Sequence, residues 1–176
     1  MKSLSLFKTG LALAAALGFS LSAQAGDGVM TFGNVKLQGP GASDPEHPKE
    51  PYVFGQFLTV NPQDGPLRIK AVVKDAQERT VEAVIEIRGS IDGIAKTKTF
   101  PIFQYKDTPG KAFISFNNTA NLACVPKNGG SVSLTALGKE GGIITGSFSG
   151  VQWFSSECQK ALSGSGSFKV ERAENY

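Results

Sequence analysis

Between Leu67 and Arg88 the apolar residues fall on alternate positions in two consecutive segments, and a period of two dictates strands with one buried face. In 80–88, Val81, Ala83, Ile85 and Ile87 share one side while Glu82, Glu86 and Arg88 share the other, interrupted only by Val84. In 67–74, Leu67, Ile69, Ala71 and Val73 likewise share a side. The short Asp75-Ala76-Gln77 between them turns the chain back, so the two segments are expected to form a hairpin.

Further strands are expected at 29–37, 52–60, 94–105, 111–116, 121–125, 131–137, 142–153 and 165–171. Turn signals separate them: Asn61-Pro62-Gln63-Asp64-Gly65, Asp92-Gly93, Asp107-Thr108-Pro109-Gly110, Asn128-Gly129-Gly130 and Gly141-Gly142. No segment of about ten or more residues after position 25 carries a helical period. The expected fold is therefore all-β, a single antiparallel β-sandwich of immunoglobulin-like or jelly-roll-like type over 26–176. Pro101 cannot donate to a ladder, which places its segment at a sheet edge or a bulge. The stretch 39–51, with four prolines and no apolar period, is expected to be an exposed loop.

Residues 1–25 have the form of a cleaved Sec signal peptide: Lys2 and Lys8, an apolar run from Leu11 to Leu21, then small residues at Ala23 and Ala25. A membrane anchor needs about 18 consecutive apolar residues, and Gly18 and Ser20 interrupt this shorter run. Export to the periplasm, cell surface or medium is expected, with no membrane span after cleavage. Cleavage removes two of the 18 basic residues and none of the 15 acidic ones, leaving 16 minus 15, or +1. A charge so close to balance offers no basic face for phosphates, so nucleic acid is excluded as a partner. Cys124 and Cys158 are the only two cysteines, and in an oxidising compartment they are expected to form one structural disulfide.

Signatures of catalysis are lacking. His47, the only histidine, sits among Asp44, Glu46 and Glu50, but neighbouring positions of a proline-rich loop seldom converge on one ion, and a zinc site needs three or four ligands. No metal and no cofactor are expected. Gly146-Ser147-Phe148-Ser149-Gly150 is GSFSG, not GxSxG, and opens no helix, so no nucleophile elbow is present. No catalytic residue is assigned; a hydrolase working through carboxylates or His47 is the reading set against this one. Trp153 and Phe154 are consecutive, so one of them should point away from the core, and they are the candidate ligand-binding residues.

The run 141–150, followed by Gly164-Ser165-Gly166-Ser167-Phe168-Lys169-Val170-Glu171-Arg172, resembles the paired C-terminal strands of exported bacterial β-sandwich proteins of unassigned function. Small residues alternate there with Phe148 and Phe168, which allows close sheet packing. A signal peptide, a Gly-Asp-Gly-Val-Met-Thr-Phe start, a β-rich body and Tyr176 at the C-terminus also resemble chaperone-usher fimbrial subunits. That resemblance implies a strand lent to a neighbouring subunit, with Val29, Thr31, Gly33, Val35 and Leu37 supplying its face. Both cysteines lie in the C-terminal half, unlike that family's pattern. The expected function is a non-catalytic exported structural or interaction module, self-assembling or bound to a protein partner. A monomeric binder of carbohydrate or a small apolar molecule is the alternative.

Overall fold

The computed structural model describes residues 27–41, 50–58, 65–118 and 122–175. In chain order the strands are β1 (Gly28–Phe32), β2 (Val35–Gly39), β3 (Tyr52–Phe57), β4 (Leu67–Lys74), β5 (Thr80–Ile87), β6 (Thr99–Pro101), β7 (Ala112–Asn118), β8 (Ala123–Cys124), β9 (Pro126–Lys127), β10 (Ser131–Leu137), β11 (Ile143–Ser149), β12 (Gln152–Trp153) and β13 (Gly166–Arg172). Two short helices, α1 (Ile91–Lys96) and α2 (Ser156–Ala161), interrupt them. The signal peptide and His47, with Asp44 and Glu46, lie outside the described residues.

The alternation at 67–88 gives the expected hairpin, with β4 and β5 paired from Leu67↔Ile87 to Lys74↔Thr80. Asp75 closes its turn. Its Oδ1 accepts from the backbone N–H of Gln77 at 2.9 Å and of Arg79 at 3.0 Å, and its Oδ2 accepts from Arg79 Nε at 2.7 Å. Desolvation raises the carboxyl's pKa, but the Arg79 and Gln77 donors outweigh it and hold the group below its ordinary value of 3.8. A carboxyl held low stabilises the fold above its unfolded-state pKa, and that stability is lost as pH falls through the folded-state value. Between about pH 6 and about pH 2.5 the wild type should therefore lose more thermal stability than Asp75→Asn. Equal losses in the two proteins would show that this carboxylate does not hold the turn.

Among the described residues eleven strands form one mixed sheet in the order β6-β10-β11-β13-β3-β4-β5-β7-β8, with β1 and β2 attached through β13. β9 and β12 make a separate pair. Pairing between these strands is antiparallel except at β13 and β3, which run parallel through Glu171↔Phe54 and Arg172↔Gly55. On the edge of β13 opposite β11, residues 166–169 pair with β1, and Glu171 and Arg172 pair with β3. The sheet thus curls about β13 and encloses one core. Phe32 is at its centre, edge-on to Phe116 (5.5 Å between ring centroids) and tilted against Phe148 (5.1 Å) and Trp153 (6.3 Å).

β11 and β13 pack through reciprocal glycine and phenylalanine pairs, Gly146↔Phe168 and Phe148↔Gly166. A β-carbon on Gly166 would stand 1.9 Å from the Thr31 carbonyl oxygen and 2.4 Å from Phe148 Cζ; one on Gly146 would stand 2.3 Å from Phe168 Cζ. Each ring lies across the opposing glycine, so the sequence of small residues alternating with phenylalanine is a packing device.

The structure differs from the sequence reading in four places. The strand expected at 29–37 is a hairpin that reverses at Gly33-Asn34, with Gly33 at φ 62°, where a β-carbon is unfavourable. The segment 94–105 begins inside α1, capped by the Ser90 hydroxyl, which accepts from Gly93 N at 3.1 Å; only Thr99–Pro101 is strand. That strand is at the sheet edge, as Pro101 requires. Residues 156–161, where no helix was expected, form α2, capped by Ser155. The parallel contact of β13 with β3 departs from a purely antiparallel fold.

Cys124 in β8 and Cys158 in α2 are joined as a disulfide, with Cα atoms 5.6 Å apart. Both are buried. The bond ties the outermost strand on the β5–β7 side to the helix that follows Trp153.

Candidate functional site

The outer face of the β4-β5-β7 strands carries charge where the inner face carries the core. Cross-strand register sets two rows: Arg68, Glu86 and Phe113 in one, and Lys70, Val84 and Ser115 in the next, with Glu82 one step further along β5. These side chains line a cleft of about 170 Å³ together with Lys106. Of the three cations, Lys106 is about half exposed and Arg68 and Lys70 about a third or less.

Alternation along β5 turns Glu86 outward, where solvent would be expected, yet its side chain is 0% exposed. The cause is the 102–111 connection, which folds back over the strand. Phe103 N donates to Ala112 O at 2.9 Å, Arg88 N to Lys111 O at 3.1 Å and Gly110 N to Arg88 O at 3.0 Å. An ion pair of Arg88 with Asp107 fixes the loop beside Lys106. Glu86 Oε1 accepts from Arg68 Nε at 2.5 Å and faces Lys106 Nζ at 3.4 Å. Its other oxygen, Oε2, is buried without a hydrogen-bond partner. An unsatisfied buried acceptor costs about 1–3 kcal/mol, so the carboxylate sits here at the expense of folding stability.

Around this centre, Lys70 Nζ lies 3.7 Å from Glu82 Oε2 and 5.7 Å from the centre of the Tyr52 ring. Tyr105, 63% exposed, projects from the same connection as Lys106 and packs edge-on against Phe103 at 5.5 Å. The lining charge is three cations against two carboxylates, +1.

The residues singled out from sequence fall elsewhere. Trp153 is 1% exposed and belongs to the core around Phe32, so only Phe154, 58% exposed, presents an aromatic surface. Its neighbour is Val125, whose carbonyl accepts from Phe154 N at 3.2 Å. Val29, Thr31, Gly33, Val35 and Leu37 do not share a face, because the chain reverses at Gly33; Met30, Phe32 and Leu37 point into the core instead. Glu50, from the acidic group near His47, pairs with Lys74 Nζ at 3.5 Å. Among the described residues no group of three metal-ligating side chains converges, and no helix is long and apolar enough to cross a membrane. Sequence reasoning placed Glu82 and Glu86 on the side opposite the apolar residues and assigned them no role. Arg68 and Lys70 alternating with core residues on the adjoining strand were the available signal.

Fold and site together define a mostly β protein with one internal disulfide and a charged cleft built on a buried carboxylate. No family model, curated protein or solved structure matches the chain.

Proposed function

We propose that this chain is an exported, non-catalytic interaction module of the bacterial periplasm or cell surface, a single β-sandwich that binds its partner through the cleft over Glu86. The observation that carries this reading is the cleft of paired charges around Glu86, a fully buried carboxylate with Oε1 engaged by Arg68 and Lys106 and Oε2 without a hydrogen-bond partner. A well-packed apolar residue would often serve the fold at least as well, which supports a role for these charges beyond packing. The Sec-type leader and the internal disulfide support export.

A fimbrial-type subunit would be the assembling form of this module. Pairing of β1 with β13 inside the same chain, with Met30 and Phe32 buried, favours the self-contained form.

Size-exclusion chromatography with light scattering, on protein recovered from the periplasm without reductant, should give one species at the mass of 176 minus 25, or 151 residues. Ladders of higher mass would overturn the self-contained reading and restore strand exchange through β1. Recovery only in the cytoplasm, with residues 1–25 retained, would overturn export.

A further inference from the structure

We propose that the protein has a second contact surface, at which an extended, acidic segment of a partner protein adds as a strand to the outer edge of β10. It shares no lining residue with the Glu86 cleft. β6 covers β10 only at Ser131, Val132 and Ser133, after which Leu134 N donates to Lys98 O at 2.7 Å. The covering chain then turns away into α1, and among the described residues no strand lies beside Thr135, Ala136 and Leu137 on that side. Gly138 N donates to Ile143 O on the β11 side at 3.0 Å, so alternation turns the N–H and C=O of Leu137 to the open side. An edge left in this way is a template for one more strand.

Side chains beside the edge define what it takes. A groove of about 190 Å³ runs between α1 and β10, lined by the buried Ile94 and Leu134, the half-buried Leu137 and the exposed Ala136. A strand added at the usual spacing of about 4.8 Å presents every second side chain to one face, so those over the groove must be apolar. Lys98 lines the groove and Lys96 ends α1 beside it; both are exposed. Unlike Arg68, Lys70 and Lys106, neither has an ion pair among the described residues. Asp92, the carboxylate of α1, is in the first turn, at the far end from Lys96. Unpaired ammonium groups flanking an apolar groove select carboxylates at the ends of the segment. A nucleic acid would meet the lysines but leave the backbone edge and the apolar lining unused.

An NMR titration of the isotope-labelled mature protein with the blocked peptide acetyl-Glu-Thr-Val-Thr-Val-Glu-amide tests this. Saturable shifts should centre on 134–138 and 94–98 and leave 82–86 in place. Of two peptides N-methylated at the valines or at the threonines, the one that loses the amides facing β10 should bind at least about tenfold more weakly and the other as before. Exchange of the terminal glutamates for lysines should weaken binding by a similar factor. Lys98→Glu alters an exposed side chain, so it should keep the thermal midpoint near wild type while weakening the glutamate peptide about tenfold and strengthening the lysine peptide. No saturable shift at 134–138 overturns the added strand and leaves the Glu86 reading standing; shifts at 82–86 alone overturn it and give the peptide to that cleft. Equal binding of both N-methylated peptides would show that no strand is added, and polyglutamate binding as tightly would show a site for charge alone. A dimer in light scattering that Lys98→Glu disperses would make the occupant a second copy. Each of these results also overturns the assignment.

Discussion

Gly166→Ala is expected to cost at least about 3 kcal/mol of folding stability, or to leave no folded protein, although it adds a single methyl group. The added carbon would stand 1.9 Å from the Thr31 carbonyl oxygen and 2.4 Å from Phe148 Cζ. A ring can turn aside at moderate cost; a carbonyl oxygen in a paired strand cannot move without opening the β1–β13 ladder. Gly146→Ala meets the Ser133 carbonyl oxygen at 2.4 Å and should behave alike. Urea unfolding of both variants beside Ser167→Ala, an exposed neighbour on β13, provides the comparison. A Gly166→Ala midpoint within about 1 kcal/mol of wild type would mean that the two strands are not packed ring over glycine.

Removal of the disulfide should be of similar size. Cys124 and Cys158 are 34 residues apart, for which loop closure alone corresponds to about 4 kcal/mol. Typical domains have only about 5–15 kcal/mol in total, so the paired Cys124→Ala and Cys158→Ala variant should unfold at much lower urea concentration. Both cysteines belong to the buried core, and the substitution also removes packing there. Loss of less than about 1 kcal/mol would indicate that β8 and α2 are held to the core by other contacts. Reductant acting on the native protein should be slow, because neither sulfur is open to solvent.

What the sequence disclosed followed from local periodicity. Leu67–Lys74 and Thr80–Ile87 were legible because each side chain's face follows from its parity, and the hairpin between them spans five residues. The Cys124–Cys158 bond was legible from export and an even count. Reversal at Gly33 was hidden because Val29, Thr31, Val35 and Leu37 keep the same parity on both sides of it, which imitates one long strand. α1 and α2, six residues each, are too short to show a helical period and are set by the Ser90 and Ser155 caps. The cleft was hidden for a different reason. Parity gives Glu86 an outward direction, but its burial depends on a connection that closes over it from residues 102–111, and on Arg68 arriving opposite through the β4 register. Such convergence is tertiary.

The double pairing of β13 bears on when the chain can fold. Thr31 meets Ser167 across 136 residues, and the same strand supplies the edge to which β3 attaches. Until residues 166–172 are available, the β1–β2 hairpin has no strand of the sheet to pair with, and β3-β4-β5-β7 meets β10-β11 only through the Ile102–Ala112 bridge beside β6. Contacts of such long sequence separation form slowly, because chain closure must precede any gain from packing. During synthesis the two flanks of the sheet therefore wait on one late strand, whose arrival completes both at once.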